Sequence, residues 1–533
     1  MKKILALTLV LIMALSLATT AFAATATVTV AKAGHTYEAY QILTGSQGES
    51  ETALGDVAWG TGMAANSAAF LTELKNNATV GETFKDAVDA KSFAEAMAKL
   101  TDNSEGAKIV AAIADKHKVA DSGVELKDGK NTVDDGYYLI VDITNLSGQH
   151  DSKNASLLQV TRDITIADKS SIPEVDKQVW DEEADAEANH TNGWGETADH
   201  FINESFQFKL IATLSADEDY AEYEKYKIVF TDTMSAGVTF ESIESVKVDG
   251  IPVDEKTGNE TNKYEYTATA GQAGGSWTLT IEDIKGVAGV NLVDGAIVEV
   301  IYNAHLNENA VVGNFDENKN TVYLEYSNNP NAGGENELGK TTEDTVWVFT
   351  YKVDSTKYAD EIKDTNKLPG AGFTLYTTTN GVKDEPVKLV FDTNKNAYRP
   401  ASKAEIAADA NAQVKKVVTE MTSAADGKFH VIGLDVGTYI MEETNVPAGY
   451  NKCADITIEI TAVHKETNEE KAETIIAMKK DNVAASQVDV VNKSGTVLPE
   501  AGGMGTTIFY LLGGLMVLGA LVVMVTNKRM RAN

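Results

Sequence analysis

A single cysteine, Cys453, among 533 residues excludes any disulfide within the chain. Proline is also scarce, at eight residues, and the first is Pro173. Basic side chains are outnumbered, 46 Lys and Arg against 79 Asp and Glu, for a formal charge of −33. A nucleic-acid binder needs a basic patch that neutralises phosphates. No Lys/Arg-rich stretch of that kind occurs in the body of the chain, so nucleic acid is excluded as a partner. His-Glu-x-x-His and Gly-x-Ser-x-Gly are both absent and the eight histidines are scattered, which argues against an extracellular hydrolase. Asp316 to Asn320 and Asp392 to Asn396 look superficially like calcium loops, but the glycine and closing glutamate such loops need are missing. Both read as Asx-rich turns, and neither a metal nor a cofactor is expected. The acidic run Asp181 to Glu187 reads as a solvated loop.

Hydrophobic residues make up 43% of the chain and charged residues 23%, the ordinary range of folded globular proteins. The length suggests about three domains. Lys2 and Lys3 precede an apolar run from Ile4 to Ala18 and then Ala21-Phe22-Ala23. A basic segment, an apolar segment and an A-x-A site together read as a secretory signal peptide, residues 1–23. At the other end, Leu498-Pro499-Glu500-Ala501-Gly502 is followed by an uncharged apolar stretch, Thr506 to Thr526, and then by Lys528, Arg529 and Arg531. About twenty apolar residues span a bilayer, and a cationic tail holds the far end in the cytoplasm. Residues 1–23 and 502–533 hold five of the 46 basic residues and none of the 79 acidic ones, so the body between them is more acidic than the whole.

Between the ends the pattern changes twice. Residues 24–170 read as an α+β domain. Alternating runs at Thr25 to Val30 and Tyr37 to Leu43 precede helical spacing over 65–76, 80–100 and 105–117. Strand character returns after the turn signal Asp134-Asp135-Gly136. Residues 171–345 carry many short strands rich in Val, Ile, Thr, Tyr and Phe, ending in a polar linker from Asn331 to Thr345. Residues 346–495 are strand-rich again, with a helical insert expected over 403–421. The fold class expected is therefore mainly β, one α+β domain followed by two immunoglobulin-like β-sandwiches, with residues 496–533 as the anchor.

Charged residues fall on apolar strand faces. In Val175-Asp176-Lys177-Gln178-Val179 the period of two puts Lys177 with Val175 and Val179. A buried ammonium costs several kcal/mol unless it is paired or loses its proton. Face parity also groups Asp232 with Ile228 and Phe230, and Asn328 with Val322, Leu324 and Tyr326. In the last domain the corresponding set is Lys352, Glu443 (after Tyr439 and Met441) and Asn492 (after Val488 and Val490). Lys352 is less clean, with Thr350 and Asp354 as its same-face neighbours.

Several segments carry a family resemblance. Leu498-Pro499-Glu500-Ala501-Gly502, with the apolar helix and basic tail, resembles the cell-wall sorting signal of Gram-positive surface proteins, consensus Leu-Pro-x-Thr-Gly. The run from Gly437 to Tyr450 resembles the E-box of Gram-positive pilins, with Tyr439, Met441, Glu443, Pro447, Gly449 and Tyr450 at its positions. Val322 to Pro330 resembles the closing strand of the family's isopeptide-forming domain. The chain is thus similar to the sortase-assembled major (backbone) pilins.

That resemblance implies two internal isopeptide bonds, Lys177 to Asn328 assisted by Asp232 and Lys352 to Asn492 assisted by Glu443. Asn329 and Glu442 are rivals that strand parity disfavours. It also implies that sortase cleaves after Ala501 and that a lysine ending the first domain attacks the resulting thioacyl bond. Ile164-Thr165-Ile166-Ala167-Asp168-Lys169 fits that position, with Lys153 as an alternative. The function implied is a structural pilus subunit, not an enzyme. Its partners would be pilus-specific and housekeeping sortases, other copies of itself, minor pilins, peptidoglycan and an unidentified host or cell-surface ligand. A monomeric cell-wall-anchored adhesin is the alternative. Cys453, past the E-box, reads as a small buried apolar residue.

Overall fold

The computed structural model describes residues 25–31, 34–47, 54–101, 104–154, 156–160, 164–166, 172–181, 191–313, 317–332, 337–468, 471–495 and 504–530. The proposed signal peptide, Lys169 and the segment 498–502 lie outside the described residues. The chain divides into two compact units, Met1–Thr350 with Ala462–Ile476, and Tyr351–Thr461 with Ala477–Asn533. Its described parts are mainly β.

In the first unit, residues 25–166 form two small sheets and a helical layer. Thr25–Val30 lies between Gly129–Asp134, antiparallel, and Ile164–Ile166, parallel. Its alternating Ala26, Val28 and Val30 point into one core. The second sheet runs Leu54–Trp59, Tyr37–Gln47, Gly136–Asp142, Leu157–Val160. Every residue of Gly136–Asp142 is buried, because Tyr138 and Ile140 enter the first core while Tyr137, Leu139 and Val141 face the helices.

The helix expected over 80–100 is two helices, Gly81–Phe84 and Ala90–Met97. The first ends at its C-cap Lys85, and Asp89 starts the second. Its extended backbone is incompatible with helix, its carboxylate accepts the Ser92 N–H, and Ser92 Oγ returns a bond to the Asp89 N–H.

Residues 174–349 form the second part of this unit around their own core. The strand order is Trp194–Gly195, Glu174–Trp180, Ser205–Leu214, Ala296–Leu306, Ile228–Val248, Lys319–Ser327, Asp344–Phe349, Thr197–Asp199. Ser205–Leu214 and Ala296–Leu306 alternate buried with exposed, as sheets packed on one face do. The 21-residue strand Ile228–Val248 has irregular register. Its first half pairs with Ala273–Ile281 and Lys319–Ser327, its second with Ala296–Leu306. One strand therefore pairs with three others, and its first half carries the buried Asp232. The expected linker 331–345 contains the strand Leu338–Lys340, and Asp344–Phe349 is the partner of Lys319–Ser327, so the boundary expected at 345 falls inside a strand.

In the second unit, Ser355–Ala359 pairs in parallel with Val488–Asn492, its first long strand against its last. Gly372–Thr379 pairs with Gly437–Asn445, placing Phe373 opposite Glu443. The helical insert is shorter than expected, Lys403–Ala410. Ser402 and Glu405 form a capping box at its start. Beyond it, Val417–Val418 and Glu420–Thr422 are strands, in keeping with the preference of β-branched residues for extended backbone. The C-terminal helix is Met504–Met530, of which Ile508–Met530 is long and apolar enough to cross a membrane, with mean hydropathy 2.6.

Candidate crosslinking sites

Lys177 is fully buried. Its strand follows the alternation of period two, with Lys177 and Val179 inward. The Asp344 carboxylate accepts the Lys177 backbone N–H at 2.5 Å, tying the first strand of the sheet to one of its last. The Lys177 ammonium position is in contact with Asp232 Oδ2 and lies 3.3 Å from the Tyr302 hydroxyl. The Phe208 and Tyr302 rings stand 5.0 and 5.3 Å from Nζ. Tyr302 donates to Asp232 Oδ2 at 3.1 Å, and Asn320 Nδ2 donates to the Tyr302 oxygen at 2.5 Å. Asp232 Oδ1 and Asn320 Oδ1 are buried and have no hydrogen-bond partner among the described residues.

Burial pushes the Lys177 amine down from its ordinary value and the Asp232 carboxyl up. The two shifts point the same way, toward a neutral amine beside a neutral acid. Burial likewise keeps the Tyr302 phenol protonated.

The second cluster is assembled by Ser355–Ala359, Gly437–Asn445 and Val488–Asn492. Lys357, Glu443 and Asn492 are all buried. Lys357 Nζ donates to Asn492 Oδ1 at 2.6 Å and lies 3.1 Å from Glu443 Oε1. Asn492 Nδ2 donates to the same Glu443 oxygen at 2.6 Å. The other oxygen, Oε2, accepts the backbone N–H of Cys453 at 2.8 Å. The Phe373 ring, stacked at 4.4 Å on Phe429, lies 5.1 Å from Nζ. Burial lowers the Lys357 amine from its ordinary value.

Two expected members are placed elsewhere. Lys352 is exposed and ion-paired with Asp354 at 2.8 Å; the buried lysine is Lys357, which sequence reading missed. The polar same-face neighbours of Lys352, Thr350 and Asp354, were the signal against it. Asn328 is buried, but its Nδ2 donates to the carbonyls of Leu146 at 2.9 Å and Asp151 at 3.3 Å. Asn320 shares its strand face, and register separates them. Asp232 stands opposite Val322 and Met234 opposite Asn320, whereas Asn328 lies six residues beyond Val322, about 20 Å along the chain.

The rivals stand apart as well. Asn329 Oδ1 accepts the Asn331 N–H at 3.1 Å. Glu442 faces outward between Lys383 and Lys452, whose ammonium groups hold its carboxyl at about 2. Lys153 is buried against Glu337 at 2.7 Å.

The E-box residues act together. Tyr439, Met441 and Glu443 point inward on one strand, and Tyr439 donates to the Asp435 carbonyl at 2.7 Å. Gly449 has φ +89, a left-handed conformation that glycine adopts freely. The turn it makes is stitched to the residues after Asn492 by the bonds Asn451 N–H to Lys493 O and Gly495 N–H to Gly449 O. Cys453 is half-buried at the rim of this site rather than in a core, with its thiol pushed by burial up to about 11. Asp392 accepts the N–H groups of Asn394 and Lys395, an Asx-rich turn. Asn318, in the other acidic run, holds Val311 and Val348 backbone groups.

The two clusters share one composition, a buried lysine, acid and carboxamide held between β-strands. Residues 352–474 match the family described as SpaA: Prealbumin-like fold domain. The "Trypsin-resistant surface T6 protein" of Streptococcus pyogenes serotype M6 is 24% identical over 273 residues, 43% of this chain and 48% of that protein. The chain thus spans about half the length of the curated relative it matches. Among solved structures, the T6 backbone pilin of serotype M6 Streptococcus pyogenes is 14% identical, with TM-score 0.46 over 89% of this chain and 98% of that one. The full-length major pilin SpaD from Corynebacterium diphtheriae is 16% identical, with TM-score 0.42 over 89% and 98%.

Proposed function

We propose that this chain is the structural backbone subunit of a covalently polymerised cell-surface pilus, and that each of its two buried clusters closes into an isopeptide bond. The carrying observation is the Lys357, Glu443, Asn492 triad, where amine, acid and carboxamide are in mutual hydrogen-bond contact with no exposure to water. A desolvated amine is neutral and nucleophilic. Its nitrogen attacks the Asn492 carboxamide carbon, the C–Nδ2 bond breaks, and a proton moved from Nζ through Glu443 lets Nδ2 depart as ammonia. Lys177 joins Asn320 in the same way beside Asp232. Each reaction occurs once per molecule, so the chain is its own substrate and not an enzyme.

Between molecules, the Lys169 amine attacks the thioacyl bond that sortase makes at the Ala501 carbonyl, linking subunits head to tail. Leu498, Pro499, Glu500 and Gly502 complete the motif that sortase reads. The apolar helix holds the chain in the membrane until that cleavage, after which the fibre is anchored to the cell wall. Support for this linkage comes from the order of motif, apolar helix and basic tail. A boiled-detergent immunoblot of cell-wall extract tests it. The wild type should give a high-mass ladder and Lys169→Ala only monomer. A ladder that persists in Lys169→Ala refutes the choice of lysine, and its absence from the wild type favours a monomeric anchored adhesin.

A further inference from the structure

The two clusters differ in one respect that bears on chemistry. Glu443 contacts both the amine and the leaving nitrogen with a single oxygen, 3.1 Å from Lys357 Nζ and 2.6 Å from Asn492 Nδ2. Asp232, one methylene shorter, contacts Lys177, but no hydrogen bond joins it to Asn320 among the described residues. The Tyr302 hydroxyl fills the gap. It donates to Asp232 Oδ2 at 3.1 Å, receives Asn320 Nδ2 at 2.5 Å and lies 3.3 Å from Lys177 Nζ. Tyr302 is itself fully buried, its ring wedged edge-on to Trp277 at 5.0 Å and stacked near Phe240 at 5.7 Å. The hydroxyl is thereby held in place, and no water is needed to bridge acid and amide.

We propose that Tyr302 is a catalytic residue of the Lys177–Asn320 crosslink, the proton relay that joins Asp232 to the leaving nitrogen. This rests on the isopeptide reading above. Neutral Lys177 Nζ adds to the Asn320 carboxamide carbon. The proton shed by Nζ passes to Asp232 Oδ2, Asp232 returns one to the phenol oxygen, and the phenol gives its own proton to Asn320 Nδ2. The C–Nδ2 bond breaks and ammonia leaves. One amide is formed and one broken, the phenol and the acid end as they began, and no oxidant or cofactor enters. The second cluster needs no such relay, because its glutamate reaches both nitrogens.

The two bonds in one chain make the test self-controlled. Full-length chain is pulse-labelled in cells, and the cross-linked peptide pairs Lys177–Asn320 and Lys357–Asn492 are quantified by mass spectrometry during the chase. Tyr302→Phe should slow the first bond by about a hundred-fold and leave the second unchanged. Asp232→Glu in the Tyr302→Phe background should restore it, since the longer acid reaches the amide directly; a merely structural tyrosine would not be replaced by a longer acid. Replacing Tyr302 by 3-fluorotyrosine, which lowers the phenol pKa with little change of shape, should alter the pH profile of the first bond alone. Failure to find the Lys177–Asn320 pair in the wild type overturns the isopeptide reading of this cluster itself. A wild type that forms it, with Tyr302→Phe equally fast, overturns only the relay. So does a slow Tyr302→Phe that Asp232→Glu does not rescue, or a fluorotyrosine chain with an unchanged profile.

Discussion

Replacing Lys357 separates the second crosslink from everything else in its unit. Lys357→Met keeps the length and apolar stem of the side chain between Phe373 and the closing strand and removes the nucleophile, while Glu443 keeps its bonds from Asn492 Nδ2 and the Cys453 N–H. The bond it abolishes would close a loop whose ends are 135 residues apart. By the chain-entropy relation used for disulfides, that closure is worth about 5 kcal/mol. For a domain of this size 1 kcal/mol moves Tm by about 2–4 °C, so the loss should be about 10–20 °C.

Lys352→Ala is the matched control. Lys352 forms only an exposed pair with Asp354, worth about 0–1 kcal/mol. Intact mass and calorimetry on the same samples decide the matter. Lys357→Met should retain the one ammonia that wild type and Lys352→Ala lose from this unit. A Lys357→Met chain that still loses that ammonia, or a Lys352→Ala chain that does not, refutes the assignment. An unchanged Tm in Lys357→Met with the bond demonstrably lost would refute the entropic account of its value.

In the first unit, Asn320→Ala should abolish the Lys177 crosslink by intact mass, whereas Asn328→Ala should retain it and cost about 1–3 kcal/mol in chemical denaturation, because the Leu146 and Asp151 carbonyls lose their donor. His35 is buried with its ring nitrogens 2.6 Å from Asp142 and 3.0 Å from Asp151. Burial alone would raise the Asp142 carboxyl, but the His35 ring and the Thr144 groups hold it below its ordinary value of 3.8. Its contribution to stability is therefore complete above that value and is lost as pH falls through the lowered one. His35→Ala should cost about 3 kcal/mol and move acid unfolding of the 25–166 sheets to higher pH. Circular dichroism against pH measures it, and an unmoved acid midpoint would show that His35 is not what holds Asp142 ionised.

Strand parity carried most of what the sequence disclosed about the sites. It placed Lys177, Asp232, Glu443 and Asn492 on inward faces because a period of two leaves no intermediate choice. Parity says nothing of position along a strand, however. Asn320 and Asn328 occupy the same face of Lys319–Ser327 and its extension, and only the pairing of Asp232 with Val322 chooses between them. That pairing depends on contacts over some 90 residues of sequence, invisible to local pattern. Lys357 escaped for another reason. Ser355–Ala359 is buried on both faces, with Thr356 and Tyr358 buried as well as Ser355 and Lys357, so no polar alternation marks its lysine. The split of the expected 80–100 helix was legible in Asp89 and Ser92, a local cap that apolar spacing overrode.

The geometry of the second unit also gives a mechanical reason for a covalent tie at the buried Lys357. The unit begins with Tyr351–Val353 and Ser355–Ala359, and Val488–Asn492 is its last strand before the C-terminal helix. These entry and exit strands are direct parallel neighbours, with Lys357 beside Val490 and Ala359 beside Asn492. Pulling on the two ends of such a unit loads that strand pair first. The two ends pull on opposite ends of this parallel pair, so its few hydrogen bonds alone would share the load in shear, each net worth about 1 kcal/mol. A bond from Lys357 to Asn492 would carry the load across the pair, and the residues between them, including the E-box strand that supplies Glu443, would fall outside the path of the force. With one cysteine in the chain no disulfide could serve. An amide also resists reduction by thiols, so a fibre built from such units would keep its mechanical strength in reducing surroundings.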